Sequence, residues 1–132
     1  MIVDTSAVLA ILKNEKDAAA FAEAIEANPE CRMSVVNYVE AAIVLDRDTD
    51  PVVGRKLDAL RERAAITLVP VDERQAHLAR AAYRDFGKGS GHPAKLNFGD
   101  CFAYALAKAT GEPVLYKGDD FSHTDAGNAL PR

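Results

Sequence analysis

Four acids stand where a strand or loop gives way to a helix or turn. They are Asp4 in Met1-Ile2-Val3-Asp4, Glu40 in Val36-Asn37-Tyr38-Val39-Glu40-Ala41, Asp100 in Asn97-Phe98-Gly99-Asp100-Cys101, and Asp119 in Lys117-Gly118-Asp119-Asp120-Phe121. Carboxylates gathered into one cup offer all-oxygen ligands, which suit Mg2+ or Mn2+. Two carboxylates about 4 Å apart repel by about 4 kcal/mol at an effective dielectric near 20, so four cannot all stay ionised without compensation. A cation that compensates them also lowers the pKa of an attacking water, and a second one steadies a leaving oxygen. Hydrolysis of a phosphodiester is the chemistry such a set performs.

Taken singly, each acid has a plainer role that weighs more. Asp4 suits an Asx-turn or helix cap. Asp100, three residues beyond Asn97, suits a helix N-terminus. Asp119 sits among turn residues, and Glu40 suits a solvated face. Glu40 nevertheless shares a helical stripe with Ile43 and Val44, and Asp100 one with Ala103, Tyr104 and Ala107. Acids on core-facing stripes need a partner, and no Lys or Arg stands near them in sequence.

Other groupings carry less. His77, His92 and His123 are scattered, and Ser6 and Ser34 lack a neighbouring base, so a nucleophilic triad has no support. Gly87, Gly89 and Gly91 follow a helix, the wrong context for a phosphate loop. Between Glu73 and Lys95, five basic residues (Arg74, Arg80, Arg84, Lys88, Lys95) face two acids, Glu73 and Asp85. The stretch Lys88–Lys95 runs directly toward Asp100. It suits contact with a phosphate backbone, with a solvated loop weighing equally.

The elements that must position these groups alternate. Strands are expected at 2–4, 31–35, 66–71 and 113–116. Between them, a helix capped by Thr5 or Ser6 runs through Leu12. A second, 15–27, has the stripe Ala18, Phe21, Ala22 and Ile25 and stops at Asn28-Pro29. Ser34 or Asn37 caps the helix carrying Glu40. Asp50-Pro51 opens one through Val53, Leu57 and Leu60. Asp72 caps one ending near Phe86, with Ala76, Leu78, Ala79, Ala82 and Tyr83 inward. Asn97 caps the helix 100–109, which Gly111 ends. Residues 87–95 form the one long loop, and 118–132 short structure followed by a loose tail. The alternation predicts an α/β/α sandwich around a parallel sheet of four or five short strands, with ligands at the strands' carboxyl ends.

Bulk properties agree with one domain over residues 1–132: the chain is 48% hydrophobic and 27% charged, enough for a core without staples. A net charge of −4 gives no global basic field, which argues only weakly against a nucleic-acid substrate. Cys31 and Cys101 lack metal-ligand spacing and suit buried free thiols in a reducing cytoplasm. No secretion signal and no apolar run of membrane-spanning length is expected.

The N-terminal Met-Ile-Val-Asp-Thr-Ser-Ala, Glu40 after the second strand, the run Leu96-Asn97-Phe98-Gly99-Asp100-Cys101-Phe102-Ala103-Tyr104-Ala105, and Leu115-Tyr116-Lys117-Gly118-Asp119-Asp120-Phe121 resemble the PIN-domain ribonucleases, VapC-type toxins above all. The resemblance spans the chain in the right order. It implies a cytoplasmic Mg2+- or Mn2+-dependent endoribonuclease acting on RNA (tRNA or rRNA), a cognate VapB-type antitoxin, and a homodimer. It carries Asp4, Glu40 and Asp100 over as catalytic, metal-binding acids. For the fourth acid, relatives present Asp or Asn where this chain has Gly118, so Asp119 is the expected substitute, with Asp120 and Asp125 as alternatives. Thr5 and Ser6 are expected to hydrogen-bond the carboxylates or the phosphate, and Lys88 and Lys95 to contact flanking phosphates. Apolar positions Phe21, Ile25, Ile43, Leu57 and Leu60 are candidates for an antitoxin groove or self-association face, ordinary burial having equal weight. Two rival readings stand beside this one: a catalytically silent protein-binding module, and an aspartyl-phosphate phosphatase using Asp4, although Ser6 occupies the place of its usual second Asp.

Overall fold

The computed structural model describes residues 1–130. Four short strands, β1 (Ile2–Val3), β2 (Arg32–Ser34), β3 (Thr67–Val69) and β4 (Val114–Leu115), form one parallel sheet in the order β3-β2-β1-β4. Between β1 and β2 run α1 (Thr5–Leu12) and α2 (Ala18–Glu26), and between β2 and β3 run α3 (Val35–Asp46) and α4 (Pro51–Arg63). The chain then crosses through α5 (Glu73–Phe86) and α6 (Phe98–Thr110) to the other side of β1. A 3-10 turn at Asp120–His123 follows β4.

Alternation along the strands splits the core in two. Val3, Met33 and Leu115 point into one apolar cluster with Ala7, Phe21, Ala41, Leu45 and Leu57 from α1 to α4. Ile2 and Val114 point into the other with Ala79, Ala82, Ala103 and Leu106 from α5 and α6. Each fully buried large aliphatic side chain contributes about 1.5–3 kcal/mol. The three-layer sandwich expected from the sequence is the one observed, with the lower strand count.

Several local expectations need correction. Asp4, not Thr5 or Ser6, caps α1, because β1 ends at Val3 and the Asp4 side chain accepts from the Ser6 amide. Ser34 caps α3 by accepting from Val36, which puts Asn37 inside the helix. The inward face of α3 is Asn37, Ala41 and Leu45, while Ile43 is 49% exposed, so Glu40 borders the core instead of sharing a stripe with Ile43. On α5, Gln75 takes an inward place and Ala76 and Tyr83 face outward. In α2 the packed residues are Phe21 and Ile25, with Ala22 exposed. The expected tail is partly ordered, since Asn128 bridges in parallel to Val114; its last two positions, 131 and 132, lie outside the described residues.

Candidate active site

The carboxyl ends of β1, β2 and β4 meet at one end of the sheet, where the chain switches from one side of β1 to the other. In parallel sheets that is where ligands bind. β1 delivers Asp4, β2 delivers the Ser34 cap and hence α3 with Asn37 and Glu40, and β4 leads to Lys117-Gly118-Asp119-Asp120. The N-terminus of α6 brings Asp100 to the same place by packing on α3 through Gly99: the Asn37 side-chain amide donates to the Gly99 carbonyl at 3.0 Å.

Asp4 is only 3% exposed. Its Oδ2 accepts from the Ser6 amide at 3.0 Å and the Ser6 hydroxyl at 2.6 Å, while its Oδ1 is buried without a partner. The Ser6 hydroxyl also accepts from the Lys117 amide at 2.9 Å, which ties Asp4 to the turn after β4. Glu40 Oε1 accepts from the Thr5 hydroxyl at 2.9 Å and from Asn37 Nδ2 at 3.0 Å. Asp100 Oδ2 accepts from the Asn97 amide at 3.0 Å and Asn97 Oδ1 from the Asp100 amide at 2.8 Å, a reciprocal capping box. Each of these three carboxylates thus commits one oxygen to protein donors, and among the described residues the other has none.

The acids also feel one another. Burial pushes the Asp100 carboxyl up to about 7, and the charges of Asp4, Asp120 and Glu40 add to that push. Burial likewise raises Asp4, with Glu40 adding and the Ser6 hydrogen bonds opposing. Among the described residues no Lys, Arg or His forms an ion pair with Asp4, Glu40 or Asp100. The cup is nonetheless looser than the sequence implied: among the described residues no three acid, His or Cys side chains already converge as a ready metal-ligand group. The Thr5, Asn37 and Asn97 donors hold Glu40 and Asp100 in place. A buried, unpartnered carboxylate oxygen, raised carboxyl pKa values and oxygen-only donors all fit a hard divalent cation.

At the turn after β4, the charge that reaches Asp100 is that of Asp120. Asp119 is exposed, and its carbonyl accepts from the Ser122 amide and hydroxyl. Asp125 is drawn away by Tyr104 and Lys108, whose hydroxyl and ammonium donate to it at 2.5 Å and 2.8 Å. The Lys117 ammonium is held by Glu15 and Asp17. Lys88 and Lys95 are exposed on the loop that bridges Gly87 to Leu96 and leads into α6. Both cysteines are free and buried.

Two contributors escaped the sequence reading: Asn37, weighed only as a cap, and Gly99, noted only within a motif. An amide three residues before Glu40 lies on the same helical face, and a glycine in a first helical turn marks a close approach. Those were the available signals.

The PIN domain profile matches residues 1–127. Ribonuclease VapC28 of Mycobacterium tuberculosis is 58% identical over 132 residues, 100% of this chain and 99% of that protein. Ribonuclease VapC42 of the same species is 51% identical over 125 residues, 95% of each chain. Among solved structures, M. tuberculosis VapC20, described as a sarcin–ricin-loop-cleaving toxin, superposes with a TM-score of 0.77 at 17% identity, covering 98% of both chains; that likeness bears on the fold. The sandwich and its acid-lined switch point are those of a PIN-type nuclease fold. The chain belongs to the PIN-domain family, within its VapC ribonucleases. Among the described residues no helix is long and apolar enough to cross a membrane.

Proposed function

We propose that this protein is the toxin of a type II toxin–antitoxin pair, a divalent-metal-dependent endoribonuclease of the cytoplasm that hydrolyses RNA phosphodiester bonds. The observation that carries this reading is the set of Asp4, Glu40 and Asp100, each with one oxygen uncommitted and none neutralised by a protein cation. Asp4, Glu40 and Asp100 would hold Mg2+ or Mn2+, with Asp119 or Asp120 completing the set. When bound, the cation supplies charge compensation and Lewis acidity toward phosphate and water. The chain's own residues do the rest. Ser6 orients Asp4, Thr5 orients Glu40, and the Asn97 capping box orients Asp100. Lys88 and Lys95 take phosphates flanking the scissile one. Attack by water leaves a 5′-phosphate and a free 3′-hydroxyl.

Partners follow from the same family. The cleft between α2 and α4, lined by Ile25, Leu60 and Ala64, is where a VapB-type antitoxin helix would lie. Of the apolar positions singled out in the sequence, Phe21, Ile25, Leu57 and Leu60 are buried in the core, and Ile43 remains outside with Val39 as the face for a homodimer. The phosphatase alternative is weakened by Ser6, which stands where its usual second Asp is expected and donates its hydroxyl to Asp4 Oδ2.

The test is to incubate purified protein with total RNA, with and without Mg2+, and to sequence ends that carry a 5′-phosphate. New ends that need Mg2+ support the reading. RNA left intact in both Mg2+ and Mn2+, with no metal-induced rise in Tm, would leave the binding-module alternative standing.

A further inference from the structure

We infer that Asn37 is a positioning residue of this site, a clasp that fixes Glu40 on α3 against the first turn of α6, where Asp100 begins its work. Asn37 is fully buried, at 0% exposure. Its Nδ2 makes two hydrogen bonds of 3.0 Å each, one to Glu40 Oε1 on its own helix and one to the Gly99 carbonyl across the interface. Its own backbone carbonyl accepts from the Thr5 hydroxyl at 3.1 Å, the same hydroxyl that donates to Glu40. The side chain therefore joins the helix after β2 to the helix that carries Asp100, and the backbone carbonyl of the same residue ties it to the helix after β1.

The amide orientation is set by chemistry. Both partners of Nδ2 are pure acceptors, a carboxylate and a carbonyl, so the nitrogen must face them. The cost of that orientation is visible, because Asn37 Oδ1 is buried with no partner. A buried polar atom left unsatisfied costs about 1–3 kcal/mol. A residue selected only for packing at this position would be apolar. The amide is explained by the two acceptors it holds, and they belong to the two helices whose acids must stay in register. Gly99 completes the clasp, because the Glu40 carboxylate lies where any larger residue's β-carbon would be.

The inference rests on the metal-dependent reading above for its functional consequence, but its mechanical content is separate. The test uses the full-length protein with Asn37→Ala and, in case that variant folds poorly, Asn37→Ser, which keeps one hydroxyl donor unable to span both acceptors. Amide hydrogen exchange should accelerate at least tenfold in the first turn of α6, residues 98–101, while the later turns of α6 keep wild-type protection. Mn2+ affinity should fall about 10-fold or more, as loss of outer-shell partners typically does. In a Glu40→Ala background, Asn37→Ala should cost clearly less Mn2+ affinity than it does in the parent, because only the Gly99 half of the clasp is left to lose.

Uniform acceleration along the whole of α6, or wild-type exchange in its first turn, would overturn the clasp. So would an equal loss of Mn2+ affinity with and without Glu40, because that outcome assigns Asn37 to general packing. If the wild-type protein bound no Mn2+ at all, the metal-dependent function would fall, and the hydrogen-exchange result would still decide the clasp.

Discussion

The carboxylate of Glu40 rests against the α-carbon of Gly99: a β-carbon built there would stand 2.0 Å from Glu40 Oε2 and 2.1 Å from Oε1. No real β-carbon tolerates such an approach, so Glu40 and any residue other than glycine compete for one space. The obstacle is the end of a flexible side chain, which can rotate at modest cost. Gly99→Ala is therefore expected to change stability by no more than about 1 kcal/mol, since Ala also favours the helix. It should lower RNA cleavage at least tenfold by displacing Glu40. Thermal melts beside a cleavage assay check this; a variant that cleaves normally would mean that the position of Glu40 is immaterial.

Asp4 and Asp100 carry the strongest unfavourable environments in the cup, buried and close enough to sense other negative charges. Asp4→Asn and Asp100→Asn remove a charge and keep the shape. Cleavage in Mg2+ should be abolished in both. The metal-free variants should be as stable as the parent or more so, because repulsion and desolvation are relieved. Paired denaturant melts in chelator, with and without the substitution, read the second effect. A clear loss of metal-free stability in both variants would count against the crowding of charge.

The Asp100 shift has a pH signature. Its carboxyl is raised from an ordinary 3.8 to about 7 in the folded protein, so the folded state holds its proton more tightly than the unfolded chain. The stabilisation from that proton is fully present below pH about 4 and is lost as pH rises through about 7. Metal-free protein should therefore lose stability over that window, with an upper bound of about 4 kcal/mol from this group. Asp100→Asn should flatten the profile there. Saturating Mn2+ should restore stability most at the alkaline end, where the carboxylate is ionised. Melts in chelator across pH 4 to 8 would show a flat parental profile if the raised pKa were wrong.

Much of this was legible in the chain because the signals are local. Asn97, Asp72 and Gly111 mark helix ends through their own backbone chemistry, and each acts as expected. The parallel sheet followed from alternation, as did the delivery of Asp4 by the first strand, although that strand stops at Val3 and not at Asp4. The outward turn of Ile43 and the inward turn of Asn37 were not legible. Helical spacing fixes which residues share a face, but the angle at which α3 lies on the sheet and on α6 decides which face is buried. That angle is a tertiary outcome, and the Glu40–Gly99 approach that accompanies it is a contact between residues far apart in sequence. Tyr104 and Lys108 claiming Asp125 is likewise a tertiary event, invisible to any local reading.

The turn after β4 offers two adjacent acids, and the electrostatics separate them. Asp120 raises the pKa of Asp100, which places its charge within reach of the cup, and it opens the 3-10 turn whose Phe121 is buried in the core. Both acids are exposed, so it is the charge felt at Asp100 that separates them. Asp120→Asn should then lower cleavage at least tenfold and weaken Mn2+ binding, while Asp119→Asn should cost less than half as much on a logarithmic scale. The pH dependence of metal-free stability supplies an independent check, because removing the Asp120 charge should let Asp100 ionise at lower pH and move its transition down. A larger loss of cleavage from Asp119→Asn, with the transition unmoved by Asp120→Asn, would reverse the assignment and return Asp119 to the role that its place in the sequence suggested.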